Sequence, residues 1–150
     1  MKVLFCTDGS PMSRLALETG ARLLKGRRVD GVVLHVLPEV DERLEHYERL
    51  HETELKQIEK LFGEKEGTLQ VVTRAQKVLA EAGLRTRRKI RRGDPAEEIL
   101  KEIRKERYSL VVLGSHGKRG LNRLFLGSVS QAVSRLAPIS ILVVKAPFLE

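Results

Sequence analysis

The sequence predicts an α/β domain: a doubly wound, five-stranded parallel sheet in the order 3-2-1-4-5, with helices on both faces. Three observations point there. Short β-branched runs, largely apolar on both faces, recur along the chain. Helical patterns with legible caps lie between them. The 150 residues suffice for one domain and hardly for two, so residues 1–150 are read as a single unit.

The apolar runs are Val3–Cys6, Val32–Leu37, Leu110–Leu113 and Ile139–Val144. Strands covered by helices on both sides read this way. The first helix starts at Ser10, a good N-cap, with Pro11 at the first helical position and Leu15, Leu17, Ala21 and Leu24 following. Residues 39–62 carry Leu44, Tyr47, Leu50, Leu55, Ile58 and Leu61 at helix-like spacing and predict one amphipathic helix. Gly63 and Gly67 flank a charged connection. Val78, Leu79 and Ala82 belong to a further helix that Gly83 closes. Asp94 caps the next one, with Glu97 three residues on and an inner stripe of Ile99, Leu100 and Ile103.

Residues 84–92 place six basic side chains in nine positions. The preferred reading is an exposed edge strand whose charges discourage pairing with another sheet. The alternative is a nucleic-acid patch, but no aromatics interleave for base stacking and no nucleic-acid motif appears, so a nucleic-acid partner is not expected. Across the whole chain, 28 Lys and Arg face 20 Asp and Glu, a net charge of +8. That excess attracts nucleic acid, anionic membrane or nucleotide phosphates without choosing among them.

Other classes fall away on composition. Apolar residues make up 41%, too many for disorder driven by low hydrophobicity. The lone Cys6 forbids an intramolecular disulfide and fits a reducing compartment. No apolar run approaches the roughly 18–20 residues that span a bilayer, and the start lacks a cleavable signal pattern. A cytoplasmic protein with no membrane partner is expected.

Function is sought where strand order 3-2-1-4-5 reverses its winding, between strands one and four, because ligands bind beyond strand carboxyl ends at such a point. Two segments lie there: Thr7-Asp8-Gly9-Ser10, and the stretch from Gly114-Ser115-His116-Gly117 to Gly127-Ser128-Val129-Ser130. Gly127-Ser128 opens the last helix, whose N-terminus suits phosphate through unpaired N–H groups and the positive dipole end. Ser128 and Ser130 add hydroxyls; Lys118, Arg119 and Arg123 add positive potential. The P-loop pattern fails, because Arg119 follows Gly117-Lys118. The dinucleotide fingerprint and the nucleophile elbow are absent as well.

The spacing Gly114, two residues, Gly117, nine residues, Gly127, Ser128 resembles the glycine pattern of nucleotide-binding universal stress proteins. Thr7-Asp8-Gly9-Ser10, Leu34-His35-Val36 and Gly93-Asp94-Pro95-Ala96-Glu97-Glu98-Ile99 resemble three further segments of that family, so the likeness spans the chain. The resemblance implies ATP binding without a P-loop, with Mg²⁺ on the phosphates. By position, Asp8 would hold the ribose, the Val36 backbone would read the adenine edge, and Leu113 and Gly114 would flank the ribose. Gly117, Gly127, Ser128 and Val129 would cradle the phosphates, with Ser130 beside them. Cys6, where some members have proline, would line the adenine side. The resemblance also implies a homodimer in which Ile139–Val144 pairs antiparallel with its copy, and a nucleotide-linked regulator or sensor acting on an unidentified protein partner. Slow ATP hydrolysis is the enzymatic alternative.

Single residues have plainer readings too. His116 reads as a loop residue with a local hydrogen bond rather than a general base. His35 reads as structural and Cys6 as a small buried apolar residue. His46 and His51 miss the i, i+4 spacing of a helical zinc pair, so no protein metal site is assigned.

Overall fold

The computed structural model describes residues 1–37, 67–116 and 126–146. The amphipathic helix expected over 39–62, the loop residues Gly117, Lys118, Arg119 and Arg123, and the pair His46 and His51 lie outside these residues.

The described residues form β1 (Lys2–Cys6), α1 (Pro11–Leu23), β2 (Asp30–Leu37), α2 (Thr68–Glu81), β3 (Thr86–Arg92), α3 (Pro95–Lys105), β4 (Leu110–Gly114), α4 (Ser128–Leu136) and β5 (Ser140–Val144). The strands make one five-stranded sheet in the order β3-β2-β1-β4-β5. Every pairing is parallel. The predicted fold class is therefore the observed one.

Strand alternation divides the core in two. Val3, Phe5, Val33 and Val112 point to one face, under α1 and α2, where they meet Ala16, Leu17, Ala21, Val72 and Leu79. Leu4, Cys6, Val32, Leu34, Val36, Val111 and Leu113 point to the other, under α3 and α4, with Ile99, Ile103 and Val133. The buried side of α1 holds Leu17 and Ala21, as expected, with Leu24 buried just after the helix, and adds the small residues Ser13, Ala16 and Gly20. Their size has a reason at Gly20, where a Cβ would meet Val112 Cγ1 at 3.0 Å. Small residues let α1 lie close on the sheet.

The caps match the expectations. The Ser10 hydroxyl accepts from the Ser13 N–H at 3.2 Å, and the Asp94 carboxylate accepts from the Glu97 N–H at 3.0 Å. Gly67 is the N-cap of α2.

β3 is an edge strand, as expected, but its cations are not merely solvated. Lys89 Nζ donates to Glu102 at 2.6 Å and also to Glu106. Arg91 donates to Glu102 at 2.7 and 3.1 Å and to Glu98 at 3.3 Å. The Tyr108 hydroxyl completes the set with a 2.7 Å hydrogen bond to Glu102. Glu102 is fully buried. Burial alone would raise its pKa; hydrogen bonds from Lys89, Tyr108 and Arg91 outweigh that and hold it below the ordinary carboxylate value. α3 thus meets β3 through charge, while Ile99 and Ile103 pack with the neighbouring strands β1, β2 and β4.

Candidate functional site

β1 and β4 part company at their carboxyl ends. β1 pairs with β4 only as far as Phe5 opposite Val112, while β4 continues against β5 to Gly114 opposite Val144. Backbone polar groups alternate sides along a parallel strand. The Ser115 N–H donates to the Val144 carbonyl at 2.8 Å, so Ser115 faces β5 and Gly114, one residue back, faces the β1 side. On the other flank the Thr7 N–H donates to the Leu34 carbonyl at 3.0 Å. Val36, two residues on, turns its own N–H and C=O the same way, into the space that β1 leaves beyond Thr7. A crevice between bare backbone edges results.

The floor of this crevice is apolar. Cys6, Val36 and Leu113 lie near the carboxyl ends of their strands in one buried cluster, so three of the expected residues are brought together. Burial, with a smaller effect of Glu102, pushes the Cys6 thiol up to about 12. It remains a neutral thiol at ordinary pH and behaves as a packing group, as the sequence suggested.

The segment after β1 is fixed by its own hydroxyls. Gly9 has φ of +79°, a turn that favours glycine. The Gly9 N–H donates to Thr7 Oγ1 at 3.2 Å, and Thr7 Oγ1 lies 3.0 Å from Ser13 Oγ. Half-buried Asp8 accepts the Ser10 N–H at 2.9 Å through Oδ1. His35 Nδ1 lies 2.8 Å from the Thr7 carbonyl oxygen, so the ring donates there and ties β2 to the turn that carries Asp8. His35 is structural, as expected. A cleft of about 470 Å³ on the α1–α2 side of this turn is lined by Thr7, Ser10, Arg14, Leu17, Arg74 and Lys77, among others.

The segment after β4 is closed by Ser115. Its carbonyl accepts the Gly127 N–H at 2.6 Å and the Ser130 hydroxyl at 2.6 Å. Two expected phosphate contacts are thereby engaged within the protein: the Gly127 N–H and the Ser130 hydroxyl. What Gly127 supplies is room, because a Cβ there would meet His116 Cα at 3.1 Å. Gly114 does the same for α1, since its Cβ would meet the Met12 carbonyl oxygen at 3.1 Å. Gly127 is the N-cap of α4 and no side chain caps that helix. Its first N–H groups, on Ser128, Val129 and Ser130, have no intrahelical acceptor. Ser128 is exposed, and its hydroxyl has no hydrogen bond among the described residues. Gly117 lies outside them.

His116 has the local hydrogen bond expected, with Nδ1 3.0 Å from Ser115 Oγ. Ser115 is 2% exposed, so this pair offers no accessible nucleophile. The residues that sequence reasoning missed are Glu98, Glu102, Tyr108 and Ser115. A signal existed for the carboxylates: Glu98, Glu102 and Glu106 repeat every four residues, against Arg87, Lys89 and Arg91 every two. The chemistry on offer at the crevice is recognition. An apolar floor, exposed main-chain edges, one carboxylate and a bare helix N-terminus suit a planar, polar group bearing hydroxyls and an anionic tail.

Comparison with known proteins places the chain among characterised folds. A family model described as the universal stress protein family matches residues 1–145. Universal stress protein YxiE of Bacillus subtilis is 34% identical over 146 residues, covering 96% of this chain and 98% of that one. Universal stress protein MJ0577 of Methanocaldococcus jannaschii is 30% identical over 163 residues, covering 96% and 94%. The solved structure of MJ0577 superimposes with a TM-score of 0.74 at 28% identity, over 99% of this chain and 97% of that one. A universal stress protein solved in complex with cAMP shares the fold, with a TM-score of 0.74 at 18% identity over 98% of each chain.

Proposed function

The chain belongs to the universal stress protein family, and from that premise we propose that it binds ATP in the β1–β4 crevice as a nucleotide-linked regulator or sensor. The observation that carries this reading is the bare N-terminus of α4 standing behind the crevice, with the Val36 and Gly114 backbones facing into it. Structural neighbours bind nucleotides: one universal stress protein is solved with cAMP and one from Archaeoglobus fulgidus with dAMP.

In this reading the adenine rests over Cys6, Val36 and Leu113 and hydrogen-bonds to the Val36 backbone. Asp8 accepts from the ribose hydroxyls, and Gly114 lets the sugar approach β4. The N–H groups of Ser128, Val129 and Ser130, with the Ser128 hydroxyl and Gly117, receive the phosphates. Mg²⁺ would come with the nucleotide, coordinated by phosphate oxygens and water. The output is linkage: ligand at a hundred times its dissociation constant stabilises the folded state by about 2.7 kcal/mol and favours one arrangement of the surrounding loop. A homodimer through β5 and a protein partner that reads the loop complete the proposal. Slow hydrolysis is the second reading, and single-turnover ADP release lost on His116→Ala would favour it.

Equilibrium titration with ATP, AMP and cAMP tests the site. Gly127→Val puts a branched side chain against His116 and over the α4 N-terminus, and should abolish nucleotide binding. Asp8→Ala should cost about 1.5–3 kcal/mol of affinity, the worth of a charged hydrogen bond. Wild type and Gly127→Val binding alike, with matching thermal unfolding, would overturn the site.

A further inference from the structure

Among the described residues every strand begins, and every helix ends, at the pole opposite the crevice. Helix C-termini carry roughly half a negative charge each, and basic residues in the last turn offset it. Arg22 in α1, Arg104 and Lys105 in α3, and Arg135 in α4 fill that role. Among the described residues, five further cations lie beyond the helix ends, where the dipole does not account for them: Lys25, Arg27 and Arg28 before β2, Arg85 before β3 and Arg107 before β4. All five are exposed, and none forms an ion pair among the described residues. The pole's carboxylates are largely engaged, Asp30 by Arg87 and Glu106 by Lys2 and Lys89. Glu81 is the exception among the described residues.

The same pole holds the exposed large apolar side chains of the described residues. Leu23 is 61% exposed at the end of α1 and Leu136 49% exposed at the end of α4, with Met1 beside β1. Single exposed leucines are ordinary; their gathering among unpaired cations at one end is the distinctive feature. We infer that this pole is a peripheral docking surface for anionic phospholipid membrane, the cations meeting headgroups and the leucines entering the interface. A phosphate backbone would use the cations but gain little from the leucines, and the pole offers no exposed aromatic for base stacking among the described residues. No helix among the described residues is long and apolar enough to cross a membrane, and a peripheral surface needs none. The expectation of no membrane partner rested on spanning and signal patterns, which a surface assembled by the fold does not display.

Co-sedimentation of the full chain with phosphatidylcholine vesicles, with and without phosphatidylserine, tests this. Binding should require phosphatidylserine and weaken as salt rises. Neutralising one basic residue should lower partitioning about fivefold, so Arg27→Gln with Arg28→Gln should lower it roughly 25-fold. Arg85→Gln with Arg107→Gln, elsewhere on the same pole, should act alike if the first pair fails to fold. Leu23→Gln should lower partitioning several-fold at every salt concentration. Equal binding to neutral vesicles, or none to phosphatidylserine at low salt, would overturn the inference. So would tighter binding to duplex DNA that Leu23→Gln leaves unchanged, which would make the pole a nucleic-acid surface.

Discussion

His35 Nδ1 lies 2.8 Å from the carbonyl oxygen of Thr7, and this bond sets the position of Asp8. The imidazole reaches from β2 across to the segment that leads into the Gly9 turn. The Thr7 and Ser13 hydroxyls brace that segment as well. The segment that carries Asp8 is thus tied to a neighbouring strand and to the helix that follows, and Asp8 Oδ1 itself accepts the Ser10 N–H.

Replacing His35 should accordingly act on ligand binding without touching the ligand. His35→Phe keeps the buried volume and removes the donor. The Thr7 carbonyl then loses a buried partner, at a cost of about 1–3 kcal/mol in stability. Nucleotide affinity should fall along with it, because Asp8 is less well positioned. Urea unfolding and nucleotide titration measure the two effects. A variant with full affinity and full stability would show that the turn holds itself.

The cluster around Glu102 should behave differently. Glu102→Ala leaves Lys89 and Arg91 without their deepest partner and takes the acceptor from Tyr108. Breaking a buried pair from one side costs about 3–5 kcal/mol. Glu102→Gln keeps the shape and part of the hydrogen bonding and should cost less. Denaturant midpoints of the two variants, with unchanged slopes, check the order. A Glu102→Ala protein as stable as wild type would mean that the charged cluster does not hold β3 to α3.

Acid should loosen the same region. Hydrogen bonds from Lys2 and Lys89 draw the Glu106 carboxyl down from 4.5 to about 2. A depressed folded-state pKa contributes stability that is complete above the unfolded value. It fades as pH falls from about 4.5 towards about 2. Urea unfolding free energies across that window should decline, and Glu106→Gln should flatten the decline. Parallel curves for wild type and variant would rule out Glu106 as a source of the acid sensitivity.

Much of the fold was legible because it rests on local signals. Apolar runs marked β1, β2, β4 and β5, and the caps at Ser10 and Asp94 marked two helix starts. Segment 84–92 read correctly as an edge strand, since a stretch so charged does not belong in a sheet interior. The alternation of strands and helices pointed to a doubly wound sheet and so to a winding reversal after β1 and β4, and the glycine spacing from Gly114 to Ser128 follows β4.

What the linear order hides is the direction of single polar groups. Nothing local tells that the Gly127 N–H and the Ser130 hydroxyl turn inward to Ser115, leaving the remaining N–H groups of the first α4 turn without an acceptor in the helix. Nothing local tells that Lys89 and Arg91 enter a buried carboxylate cluster while Arg27, Arg28 and Arg107 collect at the far pole. Those outcomes depend on which residues distant in sequence share a face once the strands align. Periodicity and capping chose the elements of this protein; only the assembled sheet decided which of its charges were neutralised and which were left to meet a partner.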